Sequence, residues 1–198
     1  KDCRRLIESL RAQGCSVLLG TPTGWREQKY DSDQDPDLHA VLKLADVISP
    51  WTIGRYRTPA EATRHGESMW QPDIAWCAQE RIDYLPVVFP GFSWHNQQGD
   101  AFDDIPRLKG GFLWSQFTAA KRSGAEMIYV AMFDEVDEGT AIFKCTNDPP
   151  VGDGARFLTY EGLPSDFYLR LTGRGGRLLR GEIPISDQIP VFSPPSSR

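Results

Sequence analysis

The chain has 198 residues, of which 40% are hydrophobic and 11% aromatic, a composition that supports one globular domain with a sizeable core. Its 22 basic and 27 acidic residues give a formal net charge of -5. This balance argues against a nucleic-acid surface or a polybasic membrane patch, because both need clustered Lys and Arg. No apolar run approaches the roughly 20 residues of a membrane span. We therefore expect neither a nucleic acid nor a membrane as a partner.

Four helix–strand pairs follow one another along the chain. In each pair, apolar positions at helical spacing precede a short apolar run of strand length. The predicted helices cover residues 2–13, 35–44, 71–82 and 113–123, and the predicted strands cover residues 15–19, 46–49, 85–90 and 127–133. The strands recur at intervals of roughly 30 to 40 residues, which is typical of βα units that form a parallel sheet.

The chain changes character beyond Lys144. It becomes rich in turn residues, with one more short helix predicted at 165–172 and a turn predicted at the glycine-rich run 173–176. The last residues are rich in Pro and Ser, which is typical of a tail or linker. We therefore predict one domain over residues 1–180 and a tail over 181–198.

The fourth predicted strand, 127–133, is apolar on successive residues, which indicates a strand buried on both faces. Four carboxyl side chains follow it within five residues: Asp134, Glu135, Asp137 and Glu138. Such crowding is costly unless a proton, a cation or a ligand is shared, and carboxyls of this kind suit acid–base chemistry. A solvated acidic loop or the cap of a following helix accounts for the same residues.

Polar and aromatic side chains also follow the other predicted strands. The carboxyl ends of parallel strands form the face on which βα-barrels build their sites. Three tryptophans there offer faces for stacking on a flat ligand, and three polar side chains offer hydrogen bonds to it. These candidates are Trp25, Trp51, Trp94, His95, Asn96 and Arg107. For any single one of them, packing in the core is the alternative.

Metal and cofactor sites have little support in the sequence. The four cysteines form no CxxC pair, and the three histidines form no HExxH, so zinc-ribbon, thioredoxin-like and metalloprotease sites lack their usual spacing. The acidic cluster also lacks the layout of a calcium-binding loop, in which oxygen ligands alternate over about a dozen residues. We therefore predict no cofactor and no metal.

Three strand-end segments carry a resemblance to a known family. Residues 89–96, 105–107 and 133–140 resemble segments of the bacterial proteins described as glycoside hydrolase family 71/99-like. They are similar, more remotely, to family 99 endo-α-mannosidases. The resemblance covers about residues 1–180 and implies an α/β fold, the C-terminal half of a (β/α)8 TIM barrel with about four of its eight βα units. It also implies a periplasmic or extracellular location.

In family 99, a loop of the form Asn-Glu-Trp-His-Glu-Gly-Thr follows a barrel strand, and its two glutamates carry the chemistry. They match Glu135 and Glu138, while Asp134 replaces the Asn and Val136-Asp137 replaces the Trp-His. The resemblance implies a retaining hydrolase in which Glu135 helps the substrate's 2-hydroxyl to attack the anomeric carbon. Glu138 would then serve as general acid and base. Asp134 and Asp137 would lie beside the substrate. The three tryptophans named above would stack on its sugar rings, and His95, Asn96 and Arg107 would bind its hydroxyls.

Three functions are compatible with these residues. The leading hypothesis is a glycoside hydrolase that acts on a poly- or oligosaccharide, because glycoside cleavage usually takes two carboxyls. The second is a carbohydrate-binding protein that keeps the barrel without turnover, and the third is a calcium or magnesium site in the acidic cluster. Half a barrel would leave strand edges and a core exposed. We therefore expect the other half either as roughly 150 or more residues before Lys1 or in a second chain.

Overall fold

The computed structural model describes residues 2–150, 152 and 154–192. Helices and short strands alternate through most of this range. The elements are α1 (Asp2–Ala12), β1 (Leu18–Thr21), α2 (Leu38–Leu42), β2 (Val47–Pro50), α3 (Pro59–His65), a π-helical turn (Gly66–Trp70), α4 (Gln71–Glu80), β3 (Asp83–Tyr84), β4 (Val87–Val88), α5 (His95–Gln98), a 3-10 turn (Leu108–Gly110), α6 (Gly111–Arg122), β5 (Tyr129–Val130) and α7 (Phe167–Leu179). No helix in these ranges is long and apolar enough to cross a membrane.

The strands form one parallel layer. β1 pairs with β2, β2 pairs with β3, and β4 pairs with β5, each time in parallel. β3 and β4 are two parts of one extended segment that is bonded on both sides. The amide of Leu85 donates to Ile48 of β2, and the carbonyl of Pro86 accepts from Tyr129 of β5. The order is therefore β1-β2-β3/β4-β5, which confirms the parallel sheet predicted from the spacing.

Helices cover one face of this sheet. Ile48, Tyr84 and Val88 point to that face and are almost fully buried in the main hydrophobic core. α6 lies at the centre of the helical layer, in contact with α3, the π-helical turn and α7. This arrangement of helices against parallel strands is that of successive βα units.

The other face of the sheet is open within the part of the chain that the structure describes. Leu18 is 52% exposed and Tyr129 39%, and a cavity of about 610 Å³ lies against them. The prediction that residues 127–133 are buried on both faces is therefore wrong, since Phe133 is also 60% exposed. Parallel sheets are normally covered on both faces. The apolar side chains on this face are therefore exposed where a parallel sheet usually buries them.

The long helix before β3 begins earlier than predicted. It starts at Pro59 and continues through the π-helical turn to Glu80, whereas the apolar spacing indicated a start at Gln71. A capping box begins it: the Thr58 side chain accepts from the amide of Glu61, and the Glu61 carboxylate accepts from the amide of Thr58. This Thr-Pro-x-Glu pattern is a recognisable helix start, which the hydrophobic pattern alone does not show.

The carboxyl-terminal part also differs from the prediction. α7 passes through the glycine-rich run 173–176, so the predicted turn there is wrong. Part of the predicted tail, residues 181–192, lies against the helices. The Trp114 indole donates to the Ser186 carbonyl at 2.8 Å, and Arg122 pairs with both carboxylate oxygens of Asp187. Residues 193–198 of that tail lie outside the described residues.

Candidate active site

The four predicted carboxyls lie on a closed loop, residues 133–140, which we term the acidic loop. Backbone hydrogen bonds close its base: Met132 donates to Thr140 at 3.1 Å, and Phe143 donates to Phe133 at 2.9 Å. Gly139 has φ +70, and a Cβ there would lie 2.5 Å from a Leu158 side-chain carbon, so only glycine fits this turn. The loop is thus fixed at both ends by the core.

Arg107 lies behind the acidic loop and is only 2% exposed. Its Nη2 donates to the carbonyls of Gly139 and Ala141, both at 2.8 Å. The guanidinium carbon lies 4.9 Å from the ring centre of Tyr160 and 4.6 Å from that of Tyr168. The substrate contact that we predicted for Arg107 does not fit this position. Its Nη2 supports the loop, while its Nε and Nη1 are buried without a hydrogen-bond partner among the described residues.

The segment after β4 contacts the acidic loop. The amide of Ser93 donates to the Glu138 carbonyl at 2.8 Å, and the Asn96 side chain donates to the Asp137 carbonyl at 3.4 Å. Gln97, which the sequence reasoning missed, donates to Glu138 Oε1 at 3.1 Å. The two strand ends therefore meet, as expected when the carboxyl ends of parallel strands share one edge. Gln97 directly follows the predicted Trp-His-Asn triplet, and this position is the only feature of the sequence that could have indicated a place for it in the site.

The two glutamates are held in different ways. Glu135 folds back on its own turn, where Oε1 accepts from the amide of Asp137 at 2.9 Å. Glu138 is held by Gln97 from the neighbouring strand end. Both glutamates and Asp137 are half-buried, and Asp134 is exposed. The carboxyls are therefore positioned by polar contacts and stay accessible from solvent.

The acidic loop is strongly negative. Within the described residues, none of its four carboxyls forms an ion pair with Lys, Arg or His. In the same ranges, no group of three or more His, Cys, Asp or Glu side chains is placed to hold a metal ion. The acidic loop therefore presents four carboxyls that have no cationic partner among the described residues.

The predicted tryptophans do not share one environment. Trp25 is fully buried and packs edge-on against Trp76 at 5.0 Å, so its predicted role as a sugar-stacking face is wrong. Trp94 is half-buried, with its ring edge-on to Phe92 at 4.7 Å. Trp51 is 46% exposed and lines the cavity over the open sheet face. Of the three, Trp51 offers the most accessible ring.

His95 remains at the strand-end face beside this site. Its Nδ1 lies 2.8 Å from the Asp100 carbonyl oxygen, and its ring is half-buried. Asn96, the next residue, also accepts a hydrogen bond from the amide of Arg156 at 2.9 Å. These bonds fix the short helix α5 beside the acidic loop.

No family model matches the sequence, and no curated protein matches it. Solved structures do match. The GH99 endo-α-mannosidase from Bacteroides thetaiotaomicron superposes with a TM-score of 0.62 at 21% identity, over 87% of this chain and 47% of its own. A complex of the GH99 endo-α-mannosidase from that organism with bis-tris-propane gives a TM-score of 0.61 at 21% identity, over 84% and 48%. This chain, which spans about half the length of the solved structures it matches, has the fold of a remote GH99-like half of a (β/α)8 barrel.

Proposed function

We propose that this chain carries the catalytic carboxyls of a glycoside hydrolase that acts on a poly- or oligosaccharide. The observation that supports this most directly is the acidic loop, where Glu135 and Glu138 follow a parallel strand and are held by separate hydrogen bonds. Two carboxyls at such a place are what glycoside cleavage usually requires. The likeness in fold to GH99 endo-α-mannosidases points to the same chemistry.

The proposed reaction has two steps and retains the anomeric configuration. In the first, the substrate's 2-hydroxyl attacks the anomeric carbon and gives its proton to Glu135, while the bond to the leaving oxygen breaks. Glu138 protonates that oxygen. In the second, Glu138 takes a proton from a water that opens the anhydro-sugar, and Glu135 returns its proton to the 2-oxygen. Each glutamate ends in its starting protonation state.

Glutamine variants test the two assignments. Glu135→Gln and Glu138→Gln keep the side-chain shape and remove the titrating group, so each should lower kcat/KM on a natural glycan by at least about 100-fold. On an aryl glycoside with a good leaving group, Glu138→Gln should retain more of the first step than Glu135→Gln, because little protonation is needed there.

Asn variants of Asp134 and Asp137 are the matched controls and should reduce the rate without abolishing it. Parental rates in both Gln variants on a natural glycan, with an inactive Asn control, would disprove the glutamate assignment. Tight glycan binding with no hydrolysis in the parent would favour a carbohydrate-binding protein instead.

The proposal includes a second barrel half, in the same polypeptide or in a second chain. Within the described residues, β1 and β5 each pair on one side only, and the sheet face between them is open. Four more strands would use both edges and cover that face, since a closed barrel has no edges. The substrate cleft would then be completed by loops of that half.

A further inference from the structure

Gln97 contacts the acidic loop from a different strand end. Its Nε2 donates to Oε1 of Glu138 at 3.1 Å, across 41 positions of the chain. Gln97 lies on α5, which follows β4, whereas Glu138 follows β5. Among the described residues, no other group donates a hydrogen bond to the Glu138 carboxyl. The orientation of this carboxyl therefore depends on one side chain.

The chemistry of this contact decides where Glu138 carries a proton. The nitrogen of a glutamine amide has two N–H donors and no acceptor. Oε1 of Glu138 must therefore keep a lone pair toward Gln97, both when the carboxyl is charged and when it is protonated. A proton on Glu138 is then carried by Oε2, the oxygen that Gln97 does not contact.

The segment that carries Gln97 is fixed to the acidic loop on both sides of the contact. The amide of Ser93 donates to the Glu138 carbonyl at 2.8 Å. The Asn96 side chain donates to the Asp137 carbonyl at 3.4 Å. These two bonds hold the backbone of α5 at a set distance from the backbone of the loop. The Gln97 amide therefore reaches the Glu138 carboxyl from a position that is already fixed.

Proton transfer needs a carboxyl that is held in one orientation. The last torsion of a glutamate side chain has a broad distribution, and Glu138 is only half-buried, so packing does not fix its carboxyl. A catalytic group has to be held within about 0.5 Å and about 10 to 20° of its productive position. Glu135 obtains this support from the backbone amide of Asp137 in its own turn. For Glu138, Gln97 supplies it.

We infer that Gln97 is a positioning residue for Glu138 and that it makes Oε2 the oxygen that transfers protons. This inference rests on the proposed function and deepens it by naming the reacting oxygen. In the first step, the Oε2–H bond breaks and the leaving oxygen gains the proton. In the second, Oε2 takes a proton from the attacking water. Gln97 donates to Oε1 throughout, and no proton passes through it.

Steady-state rates of Gln97→Met in the full polypeptide test this role. Methionine keeps an unbranched side chain and removes the N–H donors. On a natural glycan, kcat should fall about tenfold, a part of what general acid–base catalysis contributes, while KM should change less than about twofold because substrate binding is untouched. On an aryl glycoside with a good leaving group, kcat/KM should fall less than about twofold, because the first step needs little protonation there.

Gln98→Met is the matched control. Gln98 is the next residue of α5 and is exposed, as Gln97 is, and its side chain forms no hydrogen bond among the described residues. The same exchange of side chains there should leave kcat and KM unchanged. Because both positions are exposed, neither variant should shift the midpoint of urea unfolding. A loss of rate in Gln97→Met alone is then a loss of the contact with Glu138.

A double variant separates the positioning role from a structural one. In the Glu138→Gln background, Gln97→Met should cause no further loss of kcat/KM on the natural glycan, because it acts only through Glu138. A parental kcat in Gln97→Met, equal losses on both substrates, or a further loss in the double variant would overturn the inference. The proposed function would still stand if Glu138→Gln showed its expected loss. Parental rates in Glu138→Gln would overturn the proposed function and this inference together.

Discussion

Arg107 is a buried charge that affects stability through the groups it contacts. Replacing a buried ion by an apolar side chain is often neutral, because desolvation offsets the gain from pairing. Here, however, removal would leave the Gly139 carbonyl without its donor, while the Ala141 carbonyl would keep the Tyr160 hydroxyl at 3.3 Å. A buried acceptor left unpaired costs about 1 to 3 kcal/mol. The unpaired Gly139 carbonyl and the lost contacts with the Tyr160 and Tyr168 rings therefore favour the parent, and Arg107 stabilises the acidic loop.

We predict that Arg107→Met lowers the free energy of unfolding by about 1 to 3 kcal/mol, because the Gly139 carbonyl loses its donor and two tyrosine rings lose a cation. Urea unfolding followed by tryptophan fluorescence measures the change. Arg57→Gln, at an exposed ion pair, should change it by less than about 0.5 kcal/mol. An Arg107→Met protein as stable as the parent would contradict the supporting role.

Two buried titratable groups act on stability in opposite directions. Asp73 is 1% exposed and bonded to Arg26 and Tyr84, and burial raises its pKa from 3.8 to about 6. The stability it contributes is therefore complete below pH 3.8 and lost as the pH rises through 6. Burial lowers the pKa of His65 from 6.5 to about 4, so stability is lost there as the pH falls below 6.5. Each difference corresponds to about 3 kcal/mol.

We predict that these opposing effects nearly cancel in the parent between pH 4 and pH 6.5. Replacing either group should reveal the pH dependence of stability that is due to the other. In Asp73→Asn the free energy of unfolding should rise with pH across this interval, and in His65→Gln it should fall. Urea unfolding at several pH values measures both slopes. Slopes of the same sign in the two variants would be incompatible with the assigned shifts.

At the scale of elements, α7 depends on one glycine in its glycine-rich run. A Cβ on Gly175 would lie 2.3 Å from the Phe117 ring of α6, whereas a Cβ on Gly173 meets nothing within 4 Å. Gly175→Ala should therefore destabilise the protein by about 1 to 3 kcal/mol through overpacking. Gly173→Ala should stabilise it by about 0.5 to 1 kcal/mol, because alanine is the better helix former. Thermal unfolding of the pair tests this, and shifts of the same sign would show that α6 and α7 do not pack this closely.

The elements also show where sequence reasoning succeeds and fails. The meeting of Ser93 and Asn96 with the acidic loop was predictable, since the carboxyl ends of parallel strands share one edge. The burial of Trp25 was not predictable, because it depends on Trp76, which lies 51 positions away along the chain. The apolar run around Tyr129 predicted burial on both faces of the strand, but Tyr129 is 39% exposed, because an apolar pattern cannot show whether anything covers the second face.

At the scale of the whole molecule, the open sheet face is the main difference between the fold described here and a complete barrel. Leu18 on that face is 52% exposed. If a second barrel half covers it, Leu18 is a core residue of the complete protein, and truncating a buried leucine costs about 2 to 5 kcal/mol. If the face remains exposed to water, the same truncation costs less than about 0.5 kcal/mol.

We predict that Leu18→Ala lowers the free energy of unfolding by about 2 to 5 kcal/mol. The measurement uses the full polypeptide, or its complex if the second half is another chain. Ile185→Ala is the control, because Ile185 is 43% exposed on the stretch that hydrogen-bonds to Trp114 and Arg122 of α6. It should lower the free energy of unfolding by less than about 0.5 kcal/mol. Urea unfolding of parent and variants gives both values. Equal, small effects for Leu18→Ala and Ile185→Ala would mean that this face stays open and that the substrate cleft is built from this chain's loops alone.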